Sequence, residues 1–153
     1  MRNAKFRCWN KVDKEIQSVR CIDFRGDGAI DSIRTVKAYI TGDDGDIDFD
    51  FPLYPPDDII LMQSTGQHDE NGKEIYDGDI CKVDDGDNVY EVIFYMGGFM
   101  LAVLPRKIRI YHMSDRLFSN IEVIGNIYEN PELLETARHD AERKSEELAN
   151  NGI

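Results

Sequence analysis

The sequence predicts a mainly β fold that ends in an α-helix. Short segments rich in β-branched and aromatic residues recur along most of the chain, and Gly- and Asp-rich turns separate them. Only the last segment carries helix signals. Strands of this length and spacing are typical of a small antiparallel barrel or sandwich, and closure of a barrel would remove exposed strand edges.

The first part of the chain contains four predicted strands, at residues 6–9, 15–22, 32–40 and 46–51. Turn-forming residues at 10–14 join the first two strands into a hairpin. In the fourth strand, carboxylates alternate with apolar side chains, so we expect one face to be acidic and the other to lie in the core. The acidic residues are Asp46, Asp48 and Asp50, and the apolar residues are Ile47, Phe49 and Phe51.

Three prolines mark a predicted boundary. Pro52, Pro55 and Pro56 cannot donate a backbone hydrogen bond, so residues 53–58 are expected to form an extended connector. A second predicted boundary precedes the C-terminal helix. The chain is thus expected to have three parts, which are a β-rich N-terminal subdomain at 1–58, a barrel subdomain at 59–130 and a C-terminal helix at 131–153.

The second part begins with an apolar run at 59–63, which fits a buried strand, although periodicity alone leaves a single helical turn open. A Gly-bounded, charged stretch follows at 66–80. Further strands are predicted at 80–83, 88–96, 99–104 and 121–128. The intervening residues are less regular, with a strand compatible with 106–112 and a loop or a single helical turn with 114–120.

The C-terminal helix has recognisable start signals. Asn130 can cap a helix, Pro131 suits the first helical position, and Glu132 faces the positive end of the helix dipole. We expect a helix over 133–149. Its i,i+4 ion pairs are Asp140 with Lys144 and Arg143 with Glu147. Its apolar stripe is thin, so the distal half is expected to face solvent; the stripe consists of Leu134, Ala137, Ala141 and Leu148.

Composition limits the class of function. The chain has 153 residues, of which 41% are hydrophobic, and this is enough to bury a core. The formal net charge of -12 argues against a general nucleic-acid binder. The negative charge is concentrated in residues 41–91, called the acidic belt below, which carry sixteen acidic and two basic side chains.

The three cysteines, Cys8, Cys21 and Cys81, are an odd number without a C-x-x-C pair. We therefore expect small apolar core residues and neither a zinc site nor a disulfide framework. The chain opens without an apolar signal segment and has no run near the roughly 20 apolar residues that cross a membrane. These features lead us to expect a cytoplasmic location and no membrane contact.

Three segments together resemble the YopX family of phage and prophage proteins. Residues 5–10 (KFRCWN) are similar to the family's K-F-R-x-W-D opening. Residues 61–66 (LMQSTG) followed by 71–80 (NGKEIYDGDI) resemble its central signature, and 122–134 (EVIGNIYENPELL) resemble its ending. Two departures are Asn10, where Asp is usual, and a C-terminal helix that extends further than is typical.

The resemblance implies a β-rich N-terminal part packed on a C-terminal barrel similar to SH3-type barrels, followed by the helix. It implies no chemistry, because the family has no established activity. No catalytic residue is therefore transferred to this chain.

The residues offer few candidates for chemistry. Asp43, Asp44 and the acidic strand could attract calcium, but an EF-hand loop would need Gly and Glu where Phe49 and Pro55 stand. Asp77 and Asp79 flank Gly78, a pattern that indicates a turn more than an acid–base pair. No triad, P-loop or dinucleotide fingerprint is present. We expect no catalytic, cofactor or metal site, and no enzyme.

Two surfaces remain as candidates for interaction. One is the acidic face of Asp46, Asp48 and Asp50, and the other is the basic and aromatic cluster of Arg106, Lys107, Arg109 and Tyr111. Our favoured hypothesis is a non-enzymatic phage or prophage accessory protein that contacts host or phage proteins through strand edges and the acidic belt, as a homo-oligomer. The alternative is a nucleic-acid-linked role, through weak binding by the barrel or through carboxylates that mimic phosphate towards a host DNA-binding protein.

Overall fold

The computed structural model of the protein describes residues 4–84, 86–113 and 120–152. Contacts divide the chain into two compact units, Met1–Gln63 and Ser64–Ile153. The fold is mainly β with a C-terminal helix, as the sequence predicts. The three-part division at 58 and 130 stays a prediction. Among the described residues, no helix is both long and apolar enough to cross a membrane.

The first unit is built from antiparallel strands. In chain order they are β1 (Phe6–Asn10), β2 (Glu15–Phe24), β3 (Ile30–Thr41), β4 (Asp46–Asp50), β5 (Leu53–Tyr54) and the first half of β6 (Ile59–His68). Their order in the sheet is β4-β3-β2-β1-β6, and β5 pairs with β3. The predicted extended connector at 53–58 thus contains β5 and one 3₁₀-helical turn, Pro56–Asp58.

The core of this unit is small. Cys8, Ile33 and Ile59 are buried at its centre, and partly buried apolar residues pack around them. Cys8 fills the core as predicted, whereas Cys21 is exposed. The prediction that Ile47 and Phe49 lie in the core is wrong, because β4 is an edge strand whose five residues are all exposed.

A polar network closes the first hairpin. Asn10 is fully buried, and its Oδ1 accepts the backbone N–H groups of Val12 and Asp13. Its Nδ2 donates to Asp13 Oδ2 at 3.3 Å and to Gln17 Oε1 at 3.1 Å. Asp13 Oδ2 also accepts bonds from Gln17, Tyr54 and Lys37, and these donors hold the pKa of Asp13 below its usual value. The amide of Asn10 therefore supplies both an acceptor and a donor that the turn needs.

The second unit contains the rest of β6, six further strands and the helix. The strands are β7 (Glu74–Tyr76), β8 (Asp79–Val83), β9 (Val89–Tyr95), β10 (Gly98–Val103), β11 (Ile110–His112) and β12 (Ile121–Asn126), and the helix is α1 (Pro131–Asn150). The second half of β6 pairs with β7, a strand that the sequence did not predict. The other five strands form an antiparallel sheet in the order β11-β10-β9-β8-β12.

Closure of this sheet into a barrel is not part of the described structure. In the described residues, β11 and β12 are the two edges of the sheet, and no recorded pairing joins them. The SH3-like barrel therefore stays a prediction. Of the segment predicted as a possible strand at 106–112, only Ile110–His112 is a strand. The prediction for 114–120 lies outside the described residues except for its last position.

The turn between β6 and β7 is tied to β12 by one carboxylate. Asp69 is buried, and its Oδ1 accepts the N–H groups of Asn71 and Lys73 within the turn. Its Oδ2 accepts the N–H of Val123 at 3.0 Å, across 54 residues of sequence. Burial opposes ionisation of Asp69, but these three donors outweigh it and hold its pKa below the usual value. The charged form is therefore the one that stabilises the fold.

The junction between β12 and α1 depends on close packing at Gly125. A Cβ at this position would lie 2.5 Å from Asn130 Oδ1 and 2.9 Å from Leu133 Cδ1. The side chain of Asn130 does not cap the helix as predicted, because its Oδ1 accepts the N–H of Asn126 instead. Pro131 does occupy the first turn. The start of α1 can therefore pack against β12 because residue 125 is a glycine and has no side chain.

The distal helix is exposed, as the thin stripe predicts. Ala137 is buried, whereas Leu148 is 75% exposed. The two predicted i,i+4 ion pairs are wrong. Arg143 pairs with Asp140 one turn before it, and Lys144 reaches Asp87 outside the helix.

Replacing Asn10 with Asp tests the hairpin network. The new carboxylate would face Asp13 and would lose the two bonds that Nδ2 donates, so we expect a loss of about 1–3 kcal/mol of unfolding free energy at neutral pH. Since protonation removes the repulsion, the difference from wild type should shrink as the pH falls below the usual aspartate range. Urea unfolding measures both effects. Asn88→Asp, at an exposed residue of the second unit, is the control and should change little; equal losses in the two variants would contradict the network.

Replacing Gly125 with Ala tests the helix junction. Because the added methyl group must displace Asn130 or Leu133, we expect a loss of about 1–3 kcal/mol in thermal or urea unfolding. Gly26→Ala is a matched control, since its φ is not positive and a Cβ there meets nothing within 4 Å. A Gly125→Ala variant as stable as this control would show that the junction tolerates a side chain.

Candidate functional site

The acidic strand is half of an exposed two-stranded ribbon. Residues 37–41 of β3 pair with β4 in the register Lys37 with Asp50 through Thr41 with Asp46. Every residue of β4 is exposed. We call this pair of segments the ribbon.

The ribbon has two chemically different faces. Residues opposite one another in an antiparallel pair share a face, so Ala38 and Phe49 lie beside Ile40 and Ile47. The large members of this apolar face are open to solvent: Ile40 is 74%, Ile47 65% and Phe49 53% exposed. The opposite face carries Lys37, Tyr39 and Thr41 of β3 with the three carboxylates Asp46, Asp48 and Asp50 of β4.

Two of these carboxylates accept backbone N–H groups, one within β4 and one from the residue that follows it. Asp48 Oδ1 accepts the N–H of Phe49 at 2.8 Å, and Asp50 Oδ1 accepts the N–H of Phe51 at 2.7 Å. Asp48 also accepts the hydroxyl of Tyr39 at 3.4 Å, and its charge raises the pKa of that phenol. Backbone N–H groups that side chains occupy are poor templates for another strand. The apolar face, more than the strand edge, is therefore the surface that the ribbon offers.

The basic cluster lies in the second unit and is divided in two. Arg106, Arg109 and Tyr111 line a groove of about 250 Å³ beside α1, which contributes Ala141 and Ser145. Tyr111 also packs on the core of this unit, in an edge contact with Tyr90. The two arginines are exposed. The groove is therefore cationic at its rim and partly apolar within.

Lys107 does not belong to the groove. Its Nζ lies 2.6 Å from the Glu91 carboxylate, whose side chain is only 7% exposed. Its backbone has a φ of 51°, which is uncommon for a residue with a side chain. Lys107 thus lies between the two arginines in sequence but apart from them in space. Its charge neutralises the buried carboxylate of Glu91.

The paired carboxylates around Gly78 serve the turn. Gly78 has a φ of 84°, and Asp79 is buried with its Oδ2 accepting the N–H of Tyr76. Burial and the neighbouring Glu91 raise the pKa of Asp77, although the N–H groups of Phe94 and Gly78 bond to it. Backbone N–H groups donate to both Asp77 and Asp79, so these two carboxylates do not form a free acid–base pair.

Other groups considered from the sequence have structural surroundings. Burial raises the pKa of the Cys8 thiol to about 11, and it also raises the pKa of Cys81, so neither is poised as a nucleophile. Across residues 4–84, 86–113 and 120–152, no group of three or more His, Cys, Asp or Glu side chains is arranged to hold a metal ion.

Sequence reasoning missed the apolar half of the ribbon and the helical wall of the groove. Ile47 and Phe49 alternate with aspartates, and this pattern normally marks a core-facing strand. The missed signal is the turn at 41–45, which limits the partner of β4 to the end of β3. Ala141 belongs to the predicted apolar stripe of the helix, but neither Ala141 nor Ser145 indicates in sequence which strand lies beside the helix.

Truncating Lys107 tests its separate role. Lys107→Met leaves the buried Glu91 carboxylate without its cation, so we expect a loss of about 1–3 kcal/mol of unfolding free energy. Arg106→Met, at a neighbouring exposed cation, should change stability by less than about 0.5 kcal/mol. Adding Glu91→Gln to Lys107→Met should recover part of the loss in urea unfolding. If Lys107→Met and Arg106→Met lowered the unfolding free energy equally, the division of the cluster would be contradicted.

Comparisons with known proteins give the family. The family model described as YopX protein matches residues 5–135. The solved structure of protein EF1440 from Enterococcus faecalis is 30% identical, with a TM-score of 0.63, and the similarity covers 88% of this chain and 99% of that one. Protein yopX from Bacillus subtilis is 23% identical, with a TM-score of 0.50, over 88% and 97% of the two chains, and shows the fold alone. No curated protein matches the chain. The match to the family model spans most of the sequence, and the chain belongs to the YopX family.

Proposed function

We propose that this protein is a non-enzymatic interaction module that recognises a protein partner with the apolar face of the ribbon. One observation carries the proposal: Ile40, Ile47 and Phe49 share a face and are each more than half exposed. Single exposed apolar residues are common, but neighbouring large ones on one sheet face are typical of interaction sites. Covering them would release water from their surfaces and so favour binding.

The chemistry of the ribbon defines the partner. The apolar face needs an apolar surface. The carboxylates lie on the opposite face, so they favour a partner whose basic side chains are long enough to reach past the edge of the strand. A second copy of the chain, or a host or phage protein, can supply such a surface. Because Asp48 accepts the N–H of Phe49 in β4 and Asp50 accepts the N–H of Phe51 directly after it, the partner is expected to pack on the face and not to add a strand at the edge.

We also propose the biological context and the cellular location of the protein. The family resemblance supports a phage or prophage accessory protein that acts in the bacterial cytoplasm, with the second unit curved like an SH3-type barrel. A non-enzymatic role is supported by the carboxylates near Gly78, which accept backbone bonds, and by the buried Cys8 thiol.

A nucleic-acid-linked role has weaker support. The groove with Arg106 and Arg109 favours an anionic ligand. Against nucleic acid stand the net charge of -12 and the neutralisation of Lys107 by Glu91. Phosphate mimicry by the acidic face is disfavoured because Asp48 and Asp50 each use one carboxylate oxygen on the backbone.

Replacing Ile40 and Phe49 with Ser tests the proposal. Both side chains are exposed, so the melting temperature should stay within a few degrees of wild type, a change of about 0.5 kcal/mol or less. Binding of the neutral dye Nile red should fall, and host proteins retained by the immobilised wild-type chain should be lost. Val12→Ser, at a residue that is 60% exposed outside the ribbon, is the matched control. Retention of the same proteins by the double variant would contradict the proposal.

A further inference from the structure

We infer that the groove beside α1 receives the ribbon of a second copy of this chain. The inference rests on the proposed function, since it names the partner of the ribbon. The occupant of the groove is the β4 side of the ribbon, with one large apolar side chain seated in it.

The groove has the chemistry that such a strand needs. Within the described residues, no carboxylate forms an ion pair with Arg106 or Arg109, although both are exposed. Between them in sequence, Ile108 is 77% exposed, and Leu104 and Tyr111 supply further apolar surface to the groove. The site therefore combines exposed cations with an apolar wall.

The size of the groove fits one side chain. Its volume of about 250 Å³ is below the usual range for small-molecule sites, which begins near 300 Å³. An exposed Phe49 or Ile47 is a suitable occupant. The carboxylates alternate with these residues along β4 and therefore point away from the wall when the apolar face is seated. An ion pair with Arg106 or Arg109 then requires that the long arginine side chain at the rim extends past the edge of the strand.

Charge favours this groove as the surface that meets the ribbon of a second copy. Two chains of net charge -12 repel each other unless a basic patch meets an acidic one. Pairing of β4 with β4 would bring aspartates of the two copies together, and like charges opposite one another are unfavourable. Many cations of the first unit are already engaged: Lys11 with the carbonyl of Asp57, Arg20 over the Phe51 ring, Arg34 with the carbonyl of Phe51, and Lys37 with Asp13.

The contact is heterologous, because ribbon and groove are different surfaces. Each copy offers one of each, so association continues beyond a pair unless it closes into a ring. The average mass in solution should therefore rise with protein concentration, and high salt should weaken the association.

Charge exchange tests the inference by analytical ultracentrifugation of the full chain. The groove variant is Arg106→Glu with Arg109→Glu, and the ribbon variant is Asp46→Lys, Asp48→Lys and Asp50→Lys. Each variant alone has like charges on both surfaces and should associate at least about tenfold more weakly than wild type. An equimolar mixture of the two restores opposite charges and should associate again. Arg25→Glu with Arg138→Glu makes the same change in charge elsewhere and should associate as wild type does; circular dichroism checks that each variant is folded.

The outcomes separate this inference from the proposed function. Loss in each variant with recovery in the mixture supports the ribbon-to-groove contact. A groove variant that associates as wild type does, or a wild type that is a strict monomer at submillimolar concentration, overturns it. In either of these cases, the proposed function still stands if host proteins are retained by wild type and lost with Ile40→Ser/Phe49→Ser. It falls if the double variant retains them.

Discussion

Strand β3 extends beyond the core that it helps to form, and the contact surface that we propose results from this extension. Its buried residues, Ile33 and Thr35, lie in the first half, where β2 and β5 flank it. From residue 37 onward it pairs with β4, and the two segments have most of their side chains in solvent. A strand pair exposed on both faces buries little apolar surface of its own. The apolar residues retained there, Ile40, Ile47 and Phe49, therefore have more to gain from a partner than from the fold.

Carboxylates do much of the structural work in this acidic chain. Asp69 fastens a turn to a distant strand through three backbone N–H groups, and Asp79 accepts a backbone bond within its own turn. Since the folded pKa of Asp69 lies below its unfolded value, its contribution to stability is present above the usual aspartate pKa and is lost as the pH falls through the folded pKa. Asp77 behaves in the opposite sense. Its folded pKa is raised by burial and by Glu91, so its contribution to stability declines as the pH rises from the usual aspartate pKa through the folded one. Several carboxylates of the acidic belt thus accept backbone N–H groups, and only the remaining ones are available for the recognition that we propose.

Local patterns in the sequence predicted most strands and the helix, because turn residues and apolar alternation are properties of neighbouring residues. These patterns gave wrong predictions where residues far away in sequence determine burial or pairing. The alternation in β4 correctly predicted a two-faced strand, but whether Phe49 is covered depends on what lies over β3, which β4 itself does not encode. The short β5 and β7 strands are paired by tertiary context and have weak signals of their own. Arg106, Lys107 and Arg109 form one cluster in sequence, yet a turn with a positive φ at Lys107 directs that residue to Glu91 and leaves the arginines at the groove.

We propose that a second copy covers the apolar face of the ribbon and does not pair with the edge of β4, where Asp48 and Asp50 accept the N–H groups of Phe49 and Phe51. Amide hydrogen exchange of the full chain, compared between dilute and concentrated solution, tests it most directly. If a second copy covers the ribbon, amides of residues 37–41 and 46–50 should exchange more slowly as concentration rises, together with amides around the groove at 104–111. Unchanged exchange in the ribbon, with protection gained at other surfaces, would show that copies of the chain meet elsewhere and would contradict the contact between ribbon and groove.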